Sequence, residues 1–78
     1  MHPNVRNINA RLFEKALVKD GFIFIHQKGS HKSYLKKDRL VTIAAHHVGD
    51  TFAPKTLKTM INQAGWTEEY LANLIQKK

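Results

Sequence analysis

The pentapeptide Lys28-Gly29-Ser30-His31-Lys32 sets one histidine beside a glycine and between two lysines. Histidine titrates near neutrality, so it can take or give a proton under ordinary conditions. Lys28 and Lys32, with the Gly29 and Ser30 amides, suit the charge of a phosphate, and glycine lets the backbone turn tightly and lie close to a ligand. The chemistry such a group serves is proton transfer at a phosphodiester. A base takes the proton of an attacking hydroxyl, cations hold the phosphoryl oxygens, and an acid protonates the departing oxygen. Taken alone, a turn histidine between lysines is most often an ordinary surface feature.

Three further histidines are candidates for a second acid or base. A two-residue turn at Lys28-Gly29 would set Gln27 opposite Ser30 and His26 opposite His31 on one face of a hairpin. A slip of one residue would separate them. His46 and His47 are comparable candidates if their loop folds back, and for all three a structural role ranks above catalysis. Ser30 and His31 are adjacent on one strand and point apart, so Ser30 caps or touches phosphate rather than acting as a nucleophile. Tyr34, three residues on from His31, points to the opposite face and reads as core. The adjacent pair His46-His47 lacks a His-x-x-x-His spacing or a carboxylate cluster, so neither a metal nor another cofactor is expected.

The 78-residue chain has thirteen Lys and Arg against six Asp and Glu, a formal net charge of +7. That balance favours a polyanion: nucleic acid, an acidic protein or an anionic membrane face. Lys28, Lys32, Lys36, Lys37 and Arg39 meet a single acid, Asp38, between positions 28 and 39. Lys36, Lys37 and Arg39 are therefore candidate charges for tracking a nucleic-acid backbone, although a solvated lysine face explains them equally without a ligand. The length predicts one domain spanning 1–78. Without cysteine there is no disulfide framework or thiolate metal site, which fits a reducing cytosol. No stretch has the length of a signal peptide or the roughly 18 apolar residues of a membrane span, so a cytoplasmic protein is expected.

The elements that must hold the pentapeptide read as α-β-β-β-α, an α+β fold with a short further helix at the C-terminus. Asn9 caps the first helix, Ile8 and Phe13 occupy the staple positions around it, and Gly21 supplies a left-handed stop. Leu12, Phe13, Ala16 and Leu17 form its apolar face. Three segments rich in aromatic and β-branched residues, Phe22 to Gln27, Ser30 to Lys36 and Leu40 to Ala45, read as strands. Turns at Lys28-Gly29 and Asp38-Arg39 make them an antiparallel meander. Pro54 starts a second helix with Leu57, Met60, Ile61 and Ala64 on one stripe, Gly65 ends it, and Trp66 folds back on its last turn. Thr67 caps the final helix, with Glu68 and Glu69 near its positive end and Lys77 and Lys78 near its negative one. The core falls at about 9–66 and the terminal helix at 67–78.

Gly21-Phe22, Gln27-Lys28-Gly29-Ser30-His31-Lys32-Ser33-Tyr34, Val41-Thr42-Ile43 before a histidine, Thr56-Leu57 and Gln63-Ala64-Gly65, in this order, resemble the HicA toxin family. The resemblance runs from about Leu12 to Trp66. It implies an mRNA interferase of a toxin–antitoxin pair with a fold like the double-stranded-RNA-binding domain. It places the catalytic histidine at His31 and implies a HicB-type antitoxin as partner, which can carry the DNA-binding part. The toxin alone is expected to bind RNA, not DNA and not membrane. The sequence departs from the family where Pro-x-His-x-Gly is usual and Ala44-Ala45-His46-His47-Val48-Gly49 stands instead. Strand spacing aligns His46 there, and His-x-Gly spacing aligns His47. Lys55 also replaces the usual glycine before Thr-Leu. Two other readings stay open on the residues themselves: a non-catalytic RNA-binding module, and a basic subunit that docks on an acidic partner.

Overall fold

A computed structural model describes residues 5, 7–45, 47 and 49–76. The elements are α1 (Ala10–Lys19), β1 (Ile23–Lys28), β2 (His31–Lys36), β3 (Arg39–Ala44), α2 (Pro54–Ala64) and α3 (Glu68–Ile75). The strands form one antiparallel sheet in the order β1-β2-β3. The α+β architecture is the one the sequence predicts, and the C-terminal helix is present. Lys77 and Lys78, expected near its end, lie outside the described residues.

Local chemistry accounts for the helix boundaries. The Leu12 amide donates to the Asn9 side chain at 2.9 Å, satisfying one of the donors left free at the start of α1. Ile8 and Phe13 on either side of that cap are both buried. At the other end Gly21 has φ +104°, and the Gly21 and Phe22 amides donate to Val18 and Leu17 carbonyls at 3.0 and 2.9 Å. That is a Schellman stop, and it takes Phe22 out of the predicted strand and into the core. The same device closes α2: Gly65 has φ +76°, and Gly65 and Trp66 donate to Asn62 and Ile61. Thr67 caps α3 by accepting from the Tyr70 amide at 3.0 Å.

Both hairpin turns sit one residue away from their predicted positions. The strand pairs Lys28↔His31 and Lys36↔Arg39 leave Gly29-Ser30 and Lys37-Asp38 as the loops, in place of Lys28-Gly29 and Asp38-Arg39. Gly29 has φ +60°, the conformation a type II′ hairpin asks of its first loop residue, so glycine leads the turn and Lys28 stays in the strand. At the second turn Lys37 takes φ +56° without being glycine. Burial sets that register, because it pairs Tyr34 with Val41 and Lys32 with Ile43 and so keeps Tyr34, Val41 and Ile43 under the helices.

A bulge at Ile25 breaks the alternation of β1 between Phe24↔Tyr34 and His26↔Ser33. In a regular strand Phe24 and His26 would share a face. The extra residue sends Phe24 to the helix side, where its ring meets Tyr34 edge-on at 5.7 Å, and leaves His26 on the other. The helix-covered face of the sheet thus carries Phe24, Lys32, Tyr34, Val41 and Ile43. The open face carries His26, Lys28, His31, Ser33 and Thr42.

The core lies between that covered face and the three helices. Phe13, Leu17, Phe22, Ile43, Leu57 and Leu71 are fully buried in it, and Trp66 packs on Phe13 and Phe22 with ring centroids 5.5 and 6.1 Å away. Trp66 is therefore the helix-stop anchor its place after Gly65 predicts. The Asn9↔Thr51 bridge and the 2.8 Å bond from the Ala10 amide to the Asp50 carbonyl tie the β3–α2 loop to the start of α1.

Candidate functional site

His31 opens β2 immediately after the Gly29-Ser30 turn, with an exposed side chain. Directly across from it stand Lys28 on β1 and Ala44 on β3. Opposed residues of an antiparallel pair project from the same face, so Lys28 and His31 form a cation–imidazole pair at one end of the open face. No described residue makes a hydrogen bond or ion pair to either side chain. The turn that presents them is braced from behind: the Gln27 side chain donates to the Gly29 carbonyl at 2.9 Å, and the Ala45 amide donates to the Ser30 carbonyl at 3.1 Å.

The expected opposition of His26 and His31 does not occur. His26 stands across from Ser33, so it is diagonal to His31 on the same face. Such diagonal neighbours are roughly 7–8 Å apart, which is beyond a direct hydrogen bond but spanned by a bound group between them. Moving the turn by one residue removed the direct pairing, and the regular alternation from Lys28 back to His26 keeps His26 on the same face.

Lys32 projects from the other face. Its ammonium meets both Glu14 carboxylate oxygens at 3.4 Å, and the Tyr34 hydroxyl donates to the same carboxylate. Burial and the Glu14 charge push the Tyr34 hydroxyl well above its ordinary pKa, so it remains a donor. Tyr34 is core, as its strand position predicts. Lys32 and Ser30 border a cleft of about 380 Å³ between the turn, α1 and the β3–α2 loop, together with Glu14, Gln27, Ala45 and His47. His47 is exposed and held by its backbone, whose amide donates to Asp50 at 3.1 Å. It faces this cleft, across the turn from His31. His46 lies outside the described residues.

The remaining predicted cations are at the opposite end of the sheet. Lys36 ends β2, five residues from His31, which is a separation of about 17 Å along a strand. Its ammonium pairs with Asp20 at 3.1 Å and lies 5.8 Å from the Phe22 ring centroid. Arg39 covers Gly65, where a Cβ would come within 2.5 Å of the guanidinium carbon. Lys36, Lys37 and Arg39 border a second cleft, about 410 Å³, with Asp20, Trp66 and Tyr70. The pentapeptide and this group are thus not one patch.

Asp20 is the hub of that far end. Trp66 Nε1 donates to it at 2.9 Å, and the Tyr70 hydroxyl donates to its other oxygen. Burial alone would raise the Asp20 pKa, but the bonds from Tyr70, Trp66 and Lys36 outweigh it and hold the carboxyl below its usual range. The Asp20 bond in turn pushes the Tyr70 hydroxyl up. Neither this hub nor the Lys32–Glu14–Tyr34 group was read from the sequence. Their bonded partners are 16 to 50 residues apart, and no local spacing announces them.

Among the described residues no helix is long and apolar enough to cross a membrane. Comparison with curated proteins and with solved structures finds no match. A family model, the HicA toxin of bacterial toxin–antitoxin systems, matches residues 10–66. The matched segment runs from the first residue of α1 to the Trp66 anchor and includes both sheet turns, the His31–Lys28 pair and the Gly65 stop. The family is one of nuclease-like toxins with an antitoxin partner and an RNA target, and with most of its length inside that match this chain belongs to the HicA toxin family.

Proposed function

We propose that this toxin is a metal-independent endoribonuclease that cleaves mRNA in the cytoplasm and arrests translation, with His31 as its proton-transfer group. The observation that carries the reading is the exposed His31 directly opposite Lys28, next to a glycine-led turn. In the reaction the ribose 2′-oxygen forms a bond to phosphorus and the bond to the 5′-oxygen breaks. One proton leaves the 2′-hydroxyl for a base and another reaches the 5′-oxygen from an acid. His31 fills one of these roles. His26, diagonal to it on the same face, is the nearer candidate for the other, and His47 would act only on RNA that wraps over the turn.

Lys28 neutralises charge on the phosphoryl oxygens, with the Gly29-Ser30 backbone lying against the same phosphate. Lys32 joins this cradle only from the helix side, where Glu14 already offsets its charge. Lys36, Lys37 and Arg39 hold the RNA strand further along, and their contribution falls as salt rises. A HicB-type antitoxin silences the toxin by covering His31.

The test is controlled expression of the wild-type chain and of His31→Ala, with soluble protein matched and cellular mRNA integrity followed. Growth arrest and mRNA cleavage by the wild type alone support the reading. Purified wild type should cleave RNA in the presence of a chelator and leave 2′,3′-cyclic phosphate ends. Equal toxicity of the two proteins, or cleavage that the chelator abolishes, would refute it.

A further inference from the structure

The free edge of the sheet differs from the rest of the surface. Among the described residues β1 pairs with β2 on one side only, and every one of its six residues is exposed. Three large apolar side chains stand in a row there: Ile23 is 62% exposed, Phe24 52% and Ile25 42%. β3, the other edge, is covered: α2 packs on it, and the Gln63 side chain accepts from the Thr42 amide at 3.4 Å. A bare apolar edge strand presents a row of amides and carbonyls ready to pair with another chain.

Beside this edge a groove of about 440 Å³ runs along α1. Val18, 60% exposed, is its apolar wall, and Arg11, Lys15 and Lys19 form a cationic rim at intervals of four residues. The only acid in the lining, Glu14, already receives Lys32 and Tyr34. The groove connects to the edge through those contacts. Lys32 pairs across the sheet with Gln27 of β1, and the Phe24 ring packs on Tyr34.

We propose that the β1 edge and the α1 groove form a docking site for an extended segment of an acidic protein partner. The segment adds as a fourth strand beside β1. Its apolar side chains cover Phe24, Ile25 and Val18, and its carboxylates meet Arg11, Lys15 and Lys19. Charge complementarity selects this occupant over a second copy of the chain, because each copy carries +7. RNA would use the cationic rim but not the apolar edge. The site is separate from His31, which projects from the open face. The inference rests on the family's antitoxin partner and not on His31 catalysis, and it gives that partner a grip on the toxin away from the proton-transfer group.

The experiment is amide NMR of the full chain titrated with a blocked peptide of alternating valine and glutamate, with valine–lysine as control. The expected result is shifts confined to β1 and the exposed side of α1, with slowed hydrogen exchange of the outward β1 amides. High salt, or the pair Arg11→Glu and Lys15→Glu, weakens binding tenfold or more, about 1.4 kcal/mol or above. Phe24→Lys abolishes binding yet still cleaves RNA. His31→Ala binds as the wild type does, so loss of catalysis and loss of docking are read separately. Four results would overturn the proposal: no binding at millimolar peptide, shifts centred on the open face around His31, equal binding of the lysine peptide, or a concentration-dependent dimer through β1 without peptide.

Discussion

The two ends of the sheet use the same residue types to opposite effect. At the Lys36–Arg39 end a network is built on Asp20: Lys36, Trp66 and Tyr70 all bond to it, Arg39 is laid over Gly65, and of the three cations Lys36 is the one tied into the network. At the Lys28–His31 end a lysine and a histidine face solvent with no bond to any described residue, and only the backbone behind them is tied. A cation that completes an internal network stabilises the fold, and Lys36 can give RNA only the charge that Asp20 leaves unbalanced, whereas Lys37 and Arg39 beside it keep theirs. A cation left bare on a braced turn adds little stability and is available to a phosphate. Sequence distance does not distinguish the two, since both ends lie within one basic run.

The largest effect expected from this contrast is at His31. Substituting His31→Ala should lower RNA cleavage by about 100- to 10,000-fold, the range for loss of an acid or base, while the unfolding midpoint in denaturant stays within error. Lys28→Ala should behave likewise with a smaller loss of rate. A His31→Ala protein that is clearly destabilised would place this end of the sheet in the same structural class as the other.

At the far end the expectation reverses. Asp20→Asn removes the charge on which three donors converge and should cost about 2–3 kcal/mol in equilibrium unfolding, with cleavage per folded molecule unchanged. The pH dependence has a defined sign. The Asp20 pKa is lower in the folded state, so its contribution is present above the unfolded value of about 3.9 and is lost as pH falls below it. Wild type should therefore lose stability below about pH 4 more steeply than Asp20→Asn, measured by urea unfolding across that range. Parallel curves would show that the Asp20 bonds are no stronger folded than unfolded.

The helix-side group at Glu14 should give an intermediate effect. Tyr34→Phe keeps the ring against Phe24 and deletes one hydrogen bond to a partly buried carboxylate, at an expected cost of about 1–1.5 kcal/mol. Because Lys32 stays paired with Glu14, cleavage should change less than twofold. A large loss of activity in Tyr34→Phe would instead mean that the helix-side cleft takes part in the chemistry.

What the sequence made legible is what short-range physics decides. Asn9, Gly21, Gly65 and Thr67 each end or begin a helix through bonds to residues within five positions, and Pro54 begins one at a place where its missing N–H is not needed, so their roles can be read from spacing alone. The opposite orientation of Tyr34 and His31 follows from strand alternation in the same way. The turns were displaced by one residue because side-chain burial on β2 and β3, a long-range condition, chose the register. With that register went the opposition of His26 and His31, and the bulge at Ile25, which turns Phe24 to the helix side, leaves no local sign. The pairing of Lys36 with Asp20 was equally hidden, since the two lie sixteen residues apart and meet only once α1 packs on the sheet.

The smallest effect tests why the far turn is built as it is. Lys37 holds φ +56°, a conformation that costs a residue with a Cβ about 1–2 kcal/mol, whereas the corresponding position of the other turn is Gly29 at φ +60°. Lys37→Gly relieves that strain but gives the unfolded chain more freedom, a loss of about 0.4–1 kcal/mol. The net expectation is a gain of up to about 1.6 kcal/mol in equilibrium unfolding, with RNA affinity reduced slightly and less so at high salt. Gly29→Lys is the reciprocal change. It introduces the same strain next to His31, so it should destabilise the fold by about 1 kcal/mol or more and lower cleavage through the displaced turn. If Lys37→Gly gains no stability, the strain at Lys37 is no larger than the roughly 0.4–1 kcal/mol that the added freedom of the unfolded chain costs.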